Sequence, residues 1–342
     1  MKAFIMAAGA GTRLRPLTYA IPKPMVPVLN KPTIEHTVEN LRKHGITRIM
    51  MNLHHYPETI KNHFGNGTKF GVDIGYSFEK ALLGTAGGVK KCEDFLDSTF
   101  VVMSGDGLTD IDLNKAIEFH KKRKSMATMV LKAIDSRFDY GVTIINKDGR
   151  IKNFIEKPRW SDVFANTVNT GIYIFEPEIF KYIPKNKFYD FGMHLWPDLL
   201  KKKKRIFGYV TNAYWTDVGS LAEYRHGVKD ALAKKLKLRM PGKQIKPGIW
   251  IGEGTKIAKS AKIVSPCVIG SFCFIEKNAI VNEYTTIGNH SRIGQGATIK
   301  NSILWDNVNV LRNANLDNCI IGNGAEVSEN ISVFEGTVLN ME

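Results

Sequence analysis

The 342 residues contain no run of 18 apolar residues, the length that a membrane-spanning helix needs. No membrane partner is therefore expected. Cysteine is scarce: Cys92, Cys267, Cys273 and Cys319 are the only four, and no two stand in Cys-x-x-Cys spacing. That argues against a zinc ribbon and a disulfide framework and favours a reducing compartment, so a cytoplasmic location is expected. The apolar opening Met1-Lys2-Ala3-Phe4-Ile5-Met6-Ala7-Ala8 is shorter than a signal peptide requires and reads as a first strand. Two phosphate-binding motifs are also missing. No Gly-Lys-Ser/Thr follows a glycine-rich loop, and Arg13 stands where a dinucleotide fingerprint would continue.

What is present is an average globular composition, 43% apolar and 24% charged, which excludes disorder. The length suggests two domains. The net charge of +15 is unevenly spread. Residues 249–342 carry 7 Lys/Arg against 9 Asp/Glu, so residues 1–248 carry 41 against 24. Such a charge could attract nucleic acid or small polyanions. The densest run, Lys201 to Arg205, follows Leu199-Leu200 and reads as a solvated helix end whose cations face the last carbonyls. No nucleic-acid partner is expected.

The C-terminal stretch repeats every six residues. Ile251, Ile257, Ile263, Ile269, Ile275, Val281, Ile287, Ile293 and Ile299 are all Ile or Val. Four residues after the first eight stand Thr255, Ala261, Cys267, Cys273, Ala279, Thr285, Ser291 and Ala297, all small. Six matches neither a helix nor simple alternation. It fits a solenoid of about five coils with short flat sides, one large aliphatic residue per side pointing inward. The pattern slips near 300 and resumes at Leu304, Val310 and Leu316, then Ile321, Val327 and Val333. It resembles the hexapeptide-repeat left-handed β-helix, whose open faces lead to the expectation of a homo-oligomer.

The earlier part has another grammar. Apolar runs at 3–7, 46–53, 72–77, 100–103 and 127–133 alternate with helical patterns at 33–43, 57–64, 86–95 and 113–123. This predicts a mostly parallel sheet with helices on both faces. Residues 140–216 read as strand-rich, Ser220 as the N-cap of a helix reaching about Leu236, and Met240 to Gly248 as a linker. The expected division is a catalytic domain at 1–239, a linker at 240–248 and the repeat at 249–342.

The first strand runs into Ala8-Gly9-Ala10-Gly11-Thr12-Arg13-Leu14-Arg15-Pro16-Leu17-Thr18, followed by Pro22-Lys23-Pro24. A glycine-rich loop at the carboxyl end of a strand offers N–H groups to phosphates. Arg13 can fork two phosphate oxygens, and Lys23 can add a point charge. Leu83-Gly84-Thr85-Ala86-Gly87, Ser104-Gly105-Asp106, Glu156-Lys157-Pro158, Asn169-Thr170-Gly171 and Trp215-Thr216-Asp217-Val218-Gly219 follow in order. With the loop, these segments resemble the signature of sugar-1-phosphate nucleotidyltransferases, over essentially the whole chain. The mannose-1-phosphate guanylyltransferase subgroup is the most similar.

The resemblance implies a Rossmann-like mixed sheet and the reaction of a nucleoside triphosphate with a sugar 1-phosphate, giving a nucleotide sugar and pyrophosphate. GTP and mannose 1-phosphate are the implied pair, with Mg2+ as cofactor on Asp106 and Asp217. Arg13 and Lys23 would hold the triphosphate and act with both aspartates in catalysis. Ala8, Gly9, Gly11, Thr12, Glu79, Gly84 and Thr85 would complete the nucleotide site; Glu156, Lys157, Asn169 and Gly171 would hold the sugar phosphate. Thr85 leans towards a purine, because pyrimidine-specific relatives often carry Gln or His there.

Other readings stand beside these. Asp110 and Asp112 serve a turn and a helix cap, His54-His55 the edge of a strand, and His290 a β-helix turn. A glucose-1-phosphate enzyme using ATP, UTP or dTTP, a non-catalytic regulatory subunit and a bifunctional acyltransferase remain as alternatives.

Overall fold

The computed structural model describes residues 1–134, 140–157 and 166–340, in two compact units. Pro158, named above, lies outside the described residues. The first unit takes in Met1–Thr12, Ala20–Met25 and Thr33–Asp217. The second takes in Arg13–Tyr19, Val26–Pro32 and Val218–Glu342.

The first unit is built on a nine-stranded mixed sheet. Lys2–Met6 lies between Arg48–Leu53 and Phe100–Ser104, parallel to both, and Asp73–Phe78 adds beyond Arg48–Leu53. Thr167–Phe175 then joins Phe100–Ser104 antiparallel. Along these strands alternate residues enter different cores. Ala3, Ile5, Val101 and Met103 face one, with Ile34, Val38 and Leu41 of the helix Thr33–Lys43. Phe4, Phe100 and Val102 face the other, with Tyr173, Phe175 and Trp196. A sheet buried on both faces needs apolar residues at every position, which is how these runs read. The chain leaves Lys2–Met6 for one neighbour and later returns to the other. Its carboxyl end therefore lies where open α/β sheets form crevices.

Most expected elements are present, with shifted ends. The helix expected at 86–95 is Gly84–Lys90, with Gly87 and Gly88 inside it weakening its propensity. The last expected helix spans Leu221–Leu232, and Lys234 takes a φ of 58° just beyond it. Ser220 does cap this helix, accepting from Glu223 N. The stretch read as strand-rich also holds a wide helical turn, Phe191–Leu195, capped by Asp190 and running into the helix Trp196–Lys201. Its aromatic sequence masks the helical period; Trp196 is fully buried against Phe175 and Phe191.

The β-helix in the second unit has three parallel sheets of seven, five and five strands, with one antiparallel strand opening the longest. That strand, Lys243–Lys246, falls in the stretch read as a linker and pairs with Ile249–Ile251. The six-residue columns become ladders: Ile257 pairs with Ile275, Ile275 with Ile293, Ile293 with Val310 and Val310 with Val327. The slip near 300 is one residue lost at a corner. Ile269 faces Ile287, 18 residues on, but Ile287 faces Leu304, 17 on. Six of the eight small residues are interior: Cys267, Cys273, Ala279, Thr285, Ser291 and Ala297 are buried, while Thr255 and Ala261 in the first coil are half-buried. Burial pushes the Cys267 thiol up to about 12, which suits a packing role.

Two N-terminal segments fold into this same unit. Asn30 donates to Ile287 O at 2.6 Å and Tyr224 to Pro27 O at 2.6 Å, and Trp305 donates to the Tyr224 hydroxyl at 3.0 Å.

Ile293 is fully buried within its ladder. Ile293→Ala should therefore cost about 3 kcal/mol, seen as a lower urea midpoint followed by tryptophan fluorescence. An unchanged midpoint would show that the column carries no packing energy.

Candidate active site

At the carboxyl end of the central strands three segments are tied together. Ala7 N donates to Asn52 Oδ1 at 2.8 Å. Asn52 Nδ2 donates to Glu79 Oε1 at 2.8 Å, and Glu79 Oε2 accepts from Leu83 N at 2.9 Å. Glu79 is 1% exposed, so these bonds replace the water it has lost. They anchor the wall of a cavity of about 320 Å³. Ala8, Gly9, Lys23, Glu79, Gly84, Thr85 and Asp106 line it, seven of the residues named from sequence. Gly84 has a φ of 75°, and a Cβ there would lie 2.6 Å from Tyr189 O, so only glycine fits this corner. Beside it the Thr85 hydroxyl donates to Asp190 Oδ2 at 2.8 Å and accepts from Phe191 N at 2.8 Å.

The charged centre lies at one end of this cavity. Lys23 sits on the short turn Lys23–Met25, and its ammonium donates to Asp106 Oδ2; the Ser104 hydroxyl donates to Asp106 Oδ1. Asp217 Oδ2 is 3.9 Å from the same ammonium. The two aspartates, 111 residues apart in sequence, meet because Trp215–Asp217 pairs antiparallel with Gly107–Thr109, setting Asp217 opposite Gly107. The Tyr140 hydroxyl donates to Asp217 Oδ1 at 2.9 Å while its ring meets Trp215 edge-on, and Trp215 Nε1 donates to Thr170 O at 2.9 Å. Burial pushes the Asp106 carboxyl up, but the Lys23 charge and the bonds from Lys23 and Ser104 outweigh it and hold it below its ordinary range.

Glu156 lies against Gly141 and Gly192; a Cβ at Gly192 would come within 2.3 Å of Glu156 Oε2. Burial first, and then the Asp190 charge, raise the Glu156 carboxyl. Asn169 braces a bulge, donating to the Tyr173 hydroxyl at 2.8 Å and accepting from Gly171 N at 3.0 Å. Gly171, at a φ of 74°, brings this backbone close to Ser104. Lys157 is exposed and takes a φ of 43°. Gly11 has a φ of 63°, and Thr12 and Arg13 are exposed on the turn Thr12–Leu14. None of these four lines the cavity, and Arg13 is part of the second compact unit.

The cavity also has walls that sequence reasoning missed: Asn52, Phe188 and Asp190. Asn52 could have been found, since it lies near the carboxyl end of the strand Arg48–Leu53, where ligands bind. Asp190 precedes Phe-Gly and caps a helical turn, which is the local signal for it. Tyr140 carries none, because its partner is 77 residues away. The residues set aside behave as read. Asp110 accepts from Tyr214 N at 3.0 Å, Asp112 caps the helix Leu113–Lys122, and the His54 ring meets Glu79 O at 2.8 Å. His290 stacks on Phe272 at a β-helix turn.

A family model described as Nucleotidyl transferase matches residues 2–234, and one described as the EIF2B subunit epsilon LbH domain matches residues 246–342. The chain belongs to the nucleotidyl transferase family. Its similarity extends to named sugar-1-phosphate enzymes. It is 40% identical to a UTP–glucose-1-phosphate uridylyltransferase of Synechocystis, over 73% of this chain and 68% of that one. It is 36% identical to a mannose-1-phosphate guanyltransferase of Yarrowia lipolytica, over 66% of this chain and 63% of that one. Two solved structures share the fold of the larger part. One, described as a glucose-1-phosphate thymidylyltransferase of Bacillus anthracis with sucrose, has a TM-score of 0.62 at 27% identity, covering 70% of this chain and 97% of that one. The other, HddC of Yersinia pseudotuberculosis with GMP-PN, has a TM-score of 0.58 at 28% identity, covering 67% and 99%. The β-helix is accordingly the left-handed kind. Among the described residues no helix is long and apolar enough to cross a membrane.

A carboxyl raised by burial binds its proton more tightly in the folded chain than in the unfolded one. Its cost to stability is thus absent below its unfolded pKa and present above its folded one. Glu156→Gln should raise the thermal midpoint at pH 7.5 by about 2 °C, and the gain should vanish by pH 4. A loss of stability at pH 7.5 would contradict the raised pKa.

Proposed function

We propose that the chain transfers a nucleotidyl group from a nucleoside triphosphate to a sugar 1-phosphate and releases pyrophosphate, with GTP and mannose 1-phosphate as substrates. The observation that carries this reading is the convergence of Asp106 and Asp217 on Lys23, beside a glycine loop at the carboxyl end of the first strand. Residues 1–239 form the catalytic part on this reading, residues 240–248 connect it, and residues 249–342 form a β-helix through which copies associate.

The sugar-phosphate oxygen forms a bond to the α-phosphorus, and the bond from that phosphorus to the β-phosphate oxygen breaks. The nucleophile is already an anion, so the chain need not supply a general base. It must align two polyanions and offset the charge that develops on the leaving pyrophosphate. Lys23 places its ammonium against the phosphates, and Arg13 offers a fork for two phosphate oxygens. Ala8, Gly9, Gly11 and Thr12 present backbone to the triphosphate. Glu79, Gly84 and Thr85 shape the space for the base. Glu156 and Asn169 accept and donate to sugar hydroxyls beside Gly171, and Lys157 reaches the sugar phosphate.

The donor set suits Mg2+. Two carboxylates face one cation position, and a hard divalent ion takes one or two carboxylates and completes its shell with phosphate oxygens. Asp106 and Asp217 would hold the ion, which supplies positive charge to the α-phosphate and the leaving group. Tyr140 orients Asp217 for this.

UTP with glucose 1-phosphate is the second reading, favoured by the 40% identity to the uridylyltransferase. For GTP speaks Thr85, which adds no bulk to the base wall and whose hydroxyl is engaged with Asp190 and Phe191 N. Pyrophosphate release across GTP, UTP, ATP and dTTP with mannose and glucose 1-phosphates decides between them. The highest kcat/KM should fall to GTP with mannose 1-phosphate; a preference for any other pair overturns that choice. Asp106→Ala should lower kcat at least ~100-fold with an unchanged circular-dichroism spectrum, and an unaltered rate would remove Asp106 from the mechanism. Tyr140→Phe should weaken Mn2+ binding several-fold, read by electron paramagnetic resonance, and retain most of kcat at saturating metal. Unchanged Mn2+ affinity would reduce the hydrogen bond to packing.

A further inference from the structure

A larger cleft, of about 720 Å³, lies wholly within the second compact unit, between the helix Leu221–Leu232 and one corner of the β-helix. It shares no residue with the cavity described above. Its size is that of a small-molecule site. Two cations project from the helix, Arg225 and Lys229, one turn apart and on one face. Arg225 Nη2 donates to Glu335 O at 3.2 Å, but its Nε is buried and has no hydrogen-bond partner. An unpartnered guanidinium N–H is costly unless a ligand satisfies it. The Lys229 ammonium lies 5.0 Å from the centre of the Tyr284 ring. Neither cation pairs with a carboxylate among the described residues, whereas the neighbouring His226 is held by Asp230 at 3.1 Å.

The opposite wall is aromatic and polar. Phe334 is 63% exposed, the most exposed large apolar side chain among those described. Asn301 and Asn318 occupy successive coils of the corner. The wall also carries Asp317 and Glu335. Asp317 Oδ1 accepts from Asn301 at 3.4 Å and Glu335 Oε1 from Asn318 at 3.5 Å.

Each group selects a feature of the ligand. Arg225 and Lys229 call for phosphate oxygens. The open Phe334 face calls for a planar ring, since bases stack on aromatic side chains without regard to sequence. Asn301, Asn318 and the two carboxylates call for hydroxyls. The carboxylates also bound the charge, because two cations beside two anions disfavour a triphosphate. We propose that this cleft is a second nucleotide site, specific for a nucleoside diphosphate esterified to a sugar. That this ligand class is also the chain's own product rests on the function proposed above; the site itself rests on the cleft.

The test is direct binding to the full chain without turnover. GDP-mannose and UDP-glucose are titrated calorimetrically into wild type, Arg225→Ala and Phe334→Ser, with GTP as the over-charged comparison. Wild type should bind one or other nucleotide sugar at two sites per chain. Each variant should lose one site or weaken it at least ten-fold, with its initial rate of nucleotidyl transfer unchanged. GTP should fill only one site. One site in wild type, or two sites undisturbed in both variants, overturns the proposal. Phe334→Ser changes an exposed ring, so it remains informative if Arg225→Ala fails to fold. A chain that binds as expected but releases no pyrophosphate from any substrate pair would sink the proposed function and leave the second site standing.

Discussion

The Lys23 ammonium is the point around which the larger unit is arranged. Two carboxylates close to each other repel, and a cation between them offsets that repulsion. Lys23 supplies it, and the flanking Pro22 and Pro24 restrain the backbone that delivers it. Asp217 ends one strand of a two-stranded ribbon, Trp215–Asp217 paired with Gly107–Thr109, and Asp106 immediately precedes the other. Trp215, Thr170 and Tyr140 hold that ribbon in register. The Lys23 charge offsets the burial of Asp106 and gathers both aspartates, so charge balance and site geometry are one requirement here.

Glycine does related work around this centre by making room. Gly84 turns under the Tyr189 backbone, Gly171 brings a bulge against Ser104, and Gly141 and Gly192 admit the Glu156 carboxyl. The consequence for Glu156 is a raised pKa and a cost in stability at neutral pH. On the proposed function, a carboxylate kept in such a place, beside Asp190, would serve a ligand rich in hydroxyls. It has no evident use to the apolar core.

The β-helix shows a simpler physics. Each coil buries one aliphatic residue per side, and each ladder repeats the last, so local sequence alone specifies the next contact. That is why the six-residue column was legible from Ile251 onward, and why even the slip near 300 marked a real change from 18-residue to 17-residue coils. The alternating strands and helices of the other part were legible for a similar reason: the runs obey periods of two and 3.6. Legibility failed where periods fail. The aromatic stretch around Trp196 hid a helical turn. The segments at 13–19 and 26–32 joined the second unit through contacts spanning up to 257 residues.

The sequence by itself determined two architectures, the glycine loop and the residues proposed to handle phosphate, because each is written in local spacing or in side-chain chemistry. It named Lys23, Asp106 and Asp217 as partners through a resemblance, but not the contacts that bring them together. Tertiary structure decided that meeting, through a strand pairing that sets Asp217 opposite Gly107. It also decided the roles of Asn52, Asp190 and Tyr140 as supports, and it opened a cleft between a helix and a β-helix corner. Such features depend on which distant surfaces pack together, and packing is set by the whole chain's burial and not by any local period.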